Sequence, residues 1–233
     1  QQDVRWISMD RWGQCGEKKL TLEDFAGQPC YGGLDLSSTT DLTVFSLIFQ
    51  DGEDYYVLPF PFIPEANAKK RMDRDRVPYL TWAKEGFLEM TPGDSVDYDR
   101  IRKRIGEIGQ IVDIRGIAID RWNATQISTQ LEGDGFNIEL FGQGFASMSA
   151  PSKKFEELIL SRTLHHGDHP VLTWCASNVM AETDAAECIK PSKKKSSERI
   201  DAVVATLMAL GLCIATPLDQ VSIYENKDGI LVL

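Results

Sequence analysis

Three aspartates in this chain stand beside apolar segments of the kind that fold into a protein core. Asp35 ends one such stretch, Asp120 ends a second, and Asp201 lies in the first turn of the apolar, helix-like segment 198–212. A buried carboxylate without a partner costs several kcal/mol. Three of them on core elements therefore predict one shared partner, and divalent metal ions fill that role most simply.

The residues after position 29 have the pattern of an α/β protein. Short apolar runs predict strands at 30–36, 42–49, 55–60, 116–120 and 136–141. The turn sequence Asp51-Gly52-Glu53-Asp54 predicts that the second and third strands form an antiparallel hairpin. The run at 116–120 is typical of a strand buried in a parallel sheet.

Helical spacing and capping residues predict the remaining elements. A first helical segment is expected at 64–85, in two pieces broken near Pro78, and a second helix begins after its cap Asp97. Further helices are expected at 125–131 and from Pro151 to about 164. The last helix is expected to begin after a cap at Ser196 or Ser197. The basic segment 190–197 is expected to be mobile. A hairpin followed by parallel strands with crossover helices predicts one α/β domain, with a mixed central sheet flanked by helices.

The charged residues give evidence both against and for binding of nucleic acid. The formal net charge of −10 is unusual for a DNA-binding protein, because phosphate contacts usually need a basic surface. Basic clusters nevertheless occur at 69–71, 100–104, 153–154 and 193–195. Each could be an ordinary solvated face. An acidic site that holds cations between such clusters could still accept DNA.

The cysteines argue against a zinc-binding protein, and the apolar runs argue against a membrane-spanning one. The five cysteines are scattered without a CxxC pair, which argues against a zinc site and fits reduced thiols in a cytoplasm. No apolar run reaches the roughly 18–20 residues of a membrane span. We therefore expect no membrane partner.

The predicted positions of the acids suggest a reaction. Sites in open α/β sheets form at the carboxyl ends of strands, where Asp35 and Asp120 are expected. Asp41 begins the next strand and could return to the same end as an auxiliary acid, and Asp201 would point to the sheet edge from its helix. Carboxylates around two Mg²⁺ or Mn²⁺ ions are the arrangement that hydrolyses phosphodiesters. For Asp201 alone, a favourable place in a first helical turn is an equally good explanation.

Three segments in order resemble the nuclease motifs of the large terminase subunits of tailed bacteriophages. They are GLDLSSTTDLT at 33–43, IDRWNA at 119–124 and RIDAVVA at 199–205. The sequence between these segments, including Gln143-Gly144-Phe145, is also similar to that family, and the resemblance covers about residues 31–213. The third motif often reads Asp-Gly in that family, whereas this chain has Asp201-Ala202.

The resemblance implies an RNase H-like nuclease domain that cuts concatemeric double-stranded viral DNA during genome packaging in the host cytoplasm. Asp35, Asp120 and Asp201 would be the catalytic metal ligands for two Mg or Mn ions, with Asp41 auxiliary. Full-length relatives carry an N-terminal ATPase domain, and this chain has no GxxxxGK[ST] loop. We expect 1–29 to be a linker and buttress from that domain, 30–215 the nuclease, and 216–233 a tail. Implied partners are the small terminase subunit and the portal.

Five further residues are candidates for contact with DNA phosphates. The lysines of the 193–195 cluster precede the Asp201 helix and could line the path of DNA, or they could belong to a solvated loop. The list is Lys193, Lys194, Lys195, Arg199 and His166. All three histidines lie between 165 and 169, where a polar turn is a simpler explanation than a metal site.

Two other functions stay open at this stage. Segment 35–40 faintly resembles the first phosphate loop of actin-like and sugar-kinase-like ATPases, although those folds need a second Gly-rich loop and a longer chain. A non-catalytic domain that docks to the packaging motor is the other alternative. Metal-dependent DNA cleavage would distinguish it from a nuclease.

Overall fold

A seven-stranded mixed sheet forms the middle layer of the fold. The computed structural model describes residues 5–37, 42–66, 68, 72, 77–121 and 125–216. The strands of this sheet are β1 Pro29–Asp35, β2 Thr43–Asp51, β3 Asp54–Pro64, β4 Glu89–Thr91, β5 Asp113–Asp120, β6 Ile138–Phe141 and β7 Leu164–His165. A separate two-stranded sheet consists of β8 Ala181–Thr183 and β9 Ile189–Pro191.

The strand order is β4-β3-β2-β1-β5-β6, with β7 also paired to β3. The β2–β3 hairpin is antiparallel and closes at the Asp51–Asp54 pair, where Gly52 has a φ of +59°. Glycine adopts this left-handed conformation without steric cost. Strand β1 pairs antiparallel with β2 and parallel with β5. The predicted mixed sheet, with a hairpin and parallel strands, is confirmed.

Helices cover both faces of the sheet. They are α1 Met9–Gly13, α2 Tyr79–Lys84, α3 Tyr98–Gly109, α4 Thr125–Gly133, α5 Phe145–Ser161, α6 Pro170–Asn178 and α7 Asp201–Ala215, with a 3₁₀ turn at Glu23–Phe25. Helix α3 begins where the sequence predicts, since the Asp97 carboxylate accepts a hydrogen bond from the Arg100 amide at 3.0 Å. Its buried side chains are Ile101, Ile105 and Ile108.

The alternation of side chains along β1 divides the core into two layers. Cys30 and Leu34 pack against α3 and α4 on one face, while Tyr31 packs on the other, with the long buried helix α7. Because side chains in a strand alternate between faces, Gly33 and Asp35 also point to the α7 side. The β1 carboxylate and the first turn of α7 are therefore on the same side of the sheet.

Helix α7 lies unusually close to the sheet. A Cβ added at Gly33 would be 2.0 Å from the Ala205 carbonyl oxygen and 2.6 Å from the Ala209 amide nitrogen. In the buried middle of this interface, the hydroxyls of Ser46 on β2 and Thr206 on α7 are hydrogen-bonded at 2.9 Å. The glycine permits the approach of α7, and the hydroxyl pair fixes its lateral position.

The segment before β1 packs on this domain. Trp12 is fully buried, and its ring stacks on His166 with centroids 4.0 Å apart. Its indole nitrogen donates to the Thr173 hydroxyl at 3.1 Å. Phe25 joins the core on the opposite face of the sheet. Several buried side chains of this segment are therefore part of the domain's core.

Two local predictions are wrong. Pro151 does not open its helix, because α5 already begins at Phe145 and contains the proline. The preceding turns are held by packing, since Met148 is buried in the α7 layer. Neither Ser196 nor Ser197 caps α7, which begins at Asp201 without a side-chain cap.

Several predictions concern residues outside the described ranges. These are Asp41, the first predicted helical piece for most of its length, Trp122 to Ala124, and the tail from 217 to 233. The second piece, α2, begins directly after Pro78 as predicted. Within the described ranges, every helix is too short or too polar to cross a membrane.

Candidate metal centre

Asp35 and Asp120 end two neighbouring strands. In the parallel pairing of β1 and β5, Leu34 lies opposite Ile119, so the two aspartates are the next residues along each strand. Adjacent strands are about 4.8 Å apart. Both side chains are almost completely buried, and both point toward the α7 layer, because Ala118 on β5 packs there. The expected arrangement at the strand ends is found.

Asp201 joins this edge of the sheet from the first turn of α7. The Lys193 ammonium nitrogen lies 2.8 Å from Asp35 Oδ2 and 2.9 Å from Asp201 Oδ1. Two buried carboxylates, 166 positions apart in sequence, thus converge on one positive charge. Asp201 is not simply an acid placed favourably in a helical turn, because its carboxylate forms part of a shared ion pair.

Gln143 holds the other oxygen of Asp35. Its side-chain amide donates to Asp35 Oδ1 at 2.9 Å and contacts the Met208 sulfur at 3.8 Å. Both oxygens of Asp35 therefore have partners, which fixes the plane of the carboxylate. Gln143 follows β6, so this contact brings a third strand end to the site.

The buried acids and the lysine shift one another's pKa. Burial raises the pKa of Asp201 to about 6; the charge of Lys193 opposes this rise and repulsion from Asp35 adds to it. Burial acts to lower the pKa of Lys193, but the Asp35 and Asp201 carboxylates outweigh it, so that this pKa is raised above its ordinary value. The lysine is therefore a full positive charge at neutral pH.

The oxygen donors at this edge fit a hard divalent cation. Such ions bind carboxylate oxygens, and Asp35 and Asp201 already direct one oxygen each at a common cationic position. Asp201 Oδ2 is buried and has no hydrogen-bond partner among the described residues, so within this part of the chain it has a lone pair free for a ligand. Among the described residues, no three His, Cys, Asp or Glu side chains are already grouped as a metal site. The lysine occupies the centre instead.

The chain that follows Asp35 is anchored before it leaves the described range. The Ser37 amide donates to the Thr43 hydroxyl at 3.1 Å, and the Tyr98 hydroxyl donates to the Ser37 carbonyl at 3.1 Å. Asp41, the predicted auxiliary acid, lies outside the described ranges. These contacts fix Ser37 and Thr43, which lie on either side of it in the sequence.

The predicted DNA contacts separate into two groups. Lys194 and Lys195 are exposed on the segment between β9 and α7, beside the ion pair, and Arg199 lies two residues before Asp201. His166 is fully buried, and its Nε2 hydrogen donates to the Trp12 carbonyl at 2.9 Å. A histidine enclosed by the N-terminal segment cannot reach a phosphate, so the prediction for His166 is wrong.

Sequence reasoning missed two contacts at the site. Lys193 was expected on the surface, with its neighbours, and the residue pattern carries no signal that it would turn inward. Gln143 belongs to a segment that was noted only for its resemblance to other proteins. A polar residue directly after a strand that runs parallel to β5 is the one signal that could have indicated it.

Known proteins resemble this chain along most of its length. Residues 1–216 match the family described as terminase large subunit, endonuclease domain. The chain is 37% identical to the large terminase subunit of Enterobacteria phage HK97 over 209 residues, and 30% identical to protein YmfN of Escherichia coli over 234 residues. These matches cover 88% and 96% of this chain but only 41% and 50% of the relatives. The chain spans about half the length of the relatives or less.

Solved structures agree with the fold. The crystal structure of the HK97 large terminase superposes with a TM-score of 0.82, over 90% of this chain and 43% of that one. The large terminase nuclease of thermophilic phage G20c, solved with bound magnesium, gives a TM-score of 0.53 at 12% identity, over 80% of this chain and 84% of that one. The second likeness concerns the fold alone.

Proposed function

The chain belongs to the family of terminase large-subunit endonuclease domains and has their RNase H-like fold, and from that premise we propose that it is a metal-dependent endonuclease. Its substrate would be concatemeric double-stranded viral DNA, cut during genome packaging by two-metal-ion hydrolysis. Family membership in an endonuclease group removes the support for an actin-like or sugar-kinase-like ATPase.

One observation carries the proposal. Asp35 and Asp201, on elements distant in sequence, direct their carboxylates at a single cationic position at the end of β1. A purely structural role for this edge does not require buried charges, because replacing a buried ion pair by well-packed hydrophobic residues is often neutral or stabilising. The retained charges are the expected signature of a cation-binding reaction site.

Each acidic side chain has a definite part in this proposal. Asp35, held in its plane by Gln143, and Asp120 on the neighbouring strand present oxygens from the sheet. Asp201 presents Oδ2, which no described residue hydrogen-bonds, from α7. Magnesium or manganese ions bound by these oxygens would activate a water for attack on phosphorus and stabilise the leaving oxygen. Asp41 is the proposed auxiliary acid of the same site.

Positive side chains beside the acids would receive the DNA backbone. Lys194 and Lys195 are exposed on the segment that leads into α7, and Arg199 is close enough to Asp201 to lower that acid's pKa. Phosphates attract such side chains irrespective of base sequence. The cutting step itself therefore needs no base-specific contact from these residues.

The remaining partners are proposals of the same kind. The relatives are about twice as long as this chain, which is consistent with an ATPase domain in the same full-length protein. The G20c nuclease was solved with bound magnesium, which supports a divalent ion as cofactor. Double-stranded DNA, the small terminase subunit and the portal complete the proposed partners, and the host cytoplasm is the proposed location.

The test is cleavage of supercoiled plasmid in Mn²⁺, Mg²⁺ or EDTA. Asp120→Asn and Asp35→Asn should abolish nicking and linearisation, because each removes a negative ligand while keeping the side-chain shape. Asp113→Asn is the matched control, since Asp113 begins the same strand that Asp120 ends. Its side chain pairs with Arg115 at 2.6 Å, away from the site, so its activity should equal that of the wild type.

The outcomes separate the enzyme from a docking domain. Metal-dependent cutting that is lost in Asp120→Asn and kept in Asp113→Asn would support the proposed site. Cutting that survives in both variants would remove Asp120 from the reaction. Absence of cutting with every metal, in a protein that melts cooperatively, would favour the non-catalytic docking role.

A further inference from the structure

Lys193 reaches the buried acids from the solvent side. Its side chain is 49% exposed, whereas those of Asp35 and Asp201 are only 2% and 8% exposed. The side chain is thus half-exposed while its ammonium contacts two buried carboxylates, the reverse of the usual lysine posture, in which the stem is buried and the ammonium lies in water. The side chain can therefore withdraw into water without moving any core residue.

The lysine and a metal ion would use the same oxygens. The ammonium lies 2.8 Å from Asp35 Oδ2 and 2.9 Å from Asp201 Oδ1. Divalent cations bind such oxygens at roughly 2.0–2.6 Å, so an ion shared by this pair would overlap the position of the nitrogen. The ammonium and the ion cannot both bind there.

We propose that Lys193 is a displaceable internal cation, which neutralises Asp35 and Asp201 while no metal is bound and leaves when a divalent ion enters. The inference rests on the proposed function, since it assumes that these acids take up metal. It adds a distinct claim, namely that metal uptake at this site is a competition with a residue of the same chain.

The surroundings of Lys193 favour rotation of its side chain over movement of its backbone. The Ser192 amide donates to the Met180 carbonyl at 2.8 Å, and the Ser196 amide donates to the Ser192 carbonyl at 3.0 Å. These bonds anchor the turn on both sides of the lysine. A cavity of about 230 Å³, lined by Gln143, Lys193 and Lys194 among others, adjoins the site. It offers room for the displaced ammonium.

The exchange has a consequence for substrate binding. With no metal bound, the chain supplies its own positive charge to the acids, and the repulsion between two buried carboxylates is relieved. After the exchange, the freed ammonium lies beside exposed Lys194. Metal loading would thus add one positive charge to the surface that faces DNA phosphates.

Calorimetric titration with Mn²⁺, in the absence of DNA, tests the competition. Lys193→Met removes the internal cation while keeping a side chain of similar length, and it should bind Mn²⁺ more tightly by about tenfold or more, since no ion pair has to be broken. Lys190→Met is the matched control, because Lys190 also loses an ion pair, to Glu182 at 3.0 Å. It should bind Mn²⁺ as the wild type does.

A second measurement needs no variant. Acetylation of the wild-type protein by a soluble acyl ester, followed by peptide mass spectrometry, should modify Lys193 slowly without metal and several-fold faster with saturating Mn²⁺. The rate at Lys190 should stay constant. Faster modification reports release of the ammonium from the acids, independently of any catalytic activity.

The outcomes distinguish this inference from the proposed function. Equal or weaker Mn²⁺ binding by Lys193→Met, or a metal-independent acetylation rate at Lys193, would overturn the exchange and leave the metal site intact. Failure of both the wild type and Lys193→Met to bind Mn²⁺ would overturn the exchange and the proposed metal site together.

Discussion

Replacing Gly33 by alanine should separate α7 from the sheet. The added Cβ would lie 2.0 Å from the Ala205 carbonyl oxygen and 2.6 Å from the Ala209 amide nitrogen. Both are backbone atoms of a buried helix, so no side-chain rotation relieves the overlap. Reaching a separation of even 3.0 Å requires a shift of about 1 Å, and overpacking of this kind costs about 3 kcal/mol, at the upper end of its usual range.

Differential scanning calorimetry measures this cost. In a domain of this size, 1 kcal/mol changes the melting temperature by about 2–4 °C, so Gly33→Ala should melt roughly 6–12 °C below the wild type. Gly116→Ala is the control, because it places the same methyl group on β5, where the nearest atoms are 3.6 Å away. We expect that variant to melt within about 3 °C of the wild type.

The same substitution should also affect the acidic site, because α7 carries Asp201 and β1 carries Asp35. A shift of about 1 Å between them exceeds the roughly 0.5 Å within which the ligands of a site must be held, so Mn²⁺ affinity should fall in Gly33→Ala and not in Gly116→Ala. A Gly33→Ala protein with wild-type melting and wild-type Mn²⁺ affinity would refute the argument that this glycine sets the approach of the helix.

Three further predictions concern the packing around the site. Trp12→Ala should lose about 3–5 kcal/mol of unfolding free energy by urea denaturation, because a fully buried indole is removed; a loss below 1 kcal/mol would show that the N-terminal segment is dispensable. Thr206→Val should cost about 1–3 kcal/mol, since the Ser46 hydroxyl loses its buried partner, and adding Ser46→Ala should recover part of that loss. Burial lowers the pKa of His169 to about 4 and also lowers that of His166. The unfolded chain therefore binds more protons than the folded chain between about pH 4 and 6.5. His169 alone should lower the free energy of unfolding by about 2 kcal/mol between pH 7 and pH 5. Thermal melts in which His169→Asn keeps the full pH dependence would contradict this.

The sequence allowed prediction of elements whose signals are local. The β2–β3 hairpin follows from turn residues flanked by apolar runs, and α3 follows from Asp97 and the helical spacing of its isoleucines. The positions of Asp35 and Asp120 could be predicted because each ends an apolar run, and the ends of parallel strands meet at one edge. In these cases the residues that specify the structure are close together in the chain.

The contacts that could not be predicted depend on packing between distant residues. Lys193 lies in a polar segment typical of a solvated loop, and only the fold brings it to Asp35, which is 158 positions away. Pro151 lies inside α5 because packing on α7 holds the turns that precede it. His166 was expected to be accessible, but the N-terminal segment covers it. In each case, tertiary contacts override the local preference.

The location of Asp201 in the last described helix has a consequence for the order of synthesis. A ribosome produces Asp35 and Asp120 early, together with most of the sheet, and α7 only after them. Until α7 emerges, Gly33 faces no helix and the two earlier acids lack both Asp201 and the lysine that precedes it. A nascent chain therefore cannot assemble this acidic centre ahead of the rest of the domain, and an incomplete translation product carries only an unfinished one.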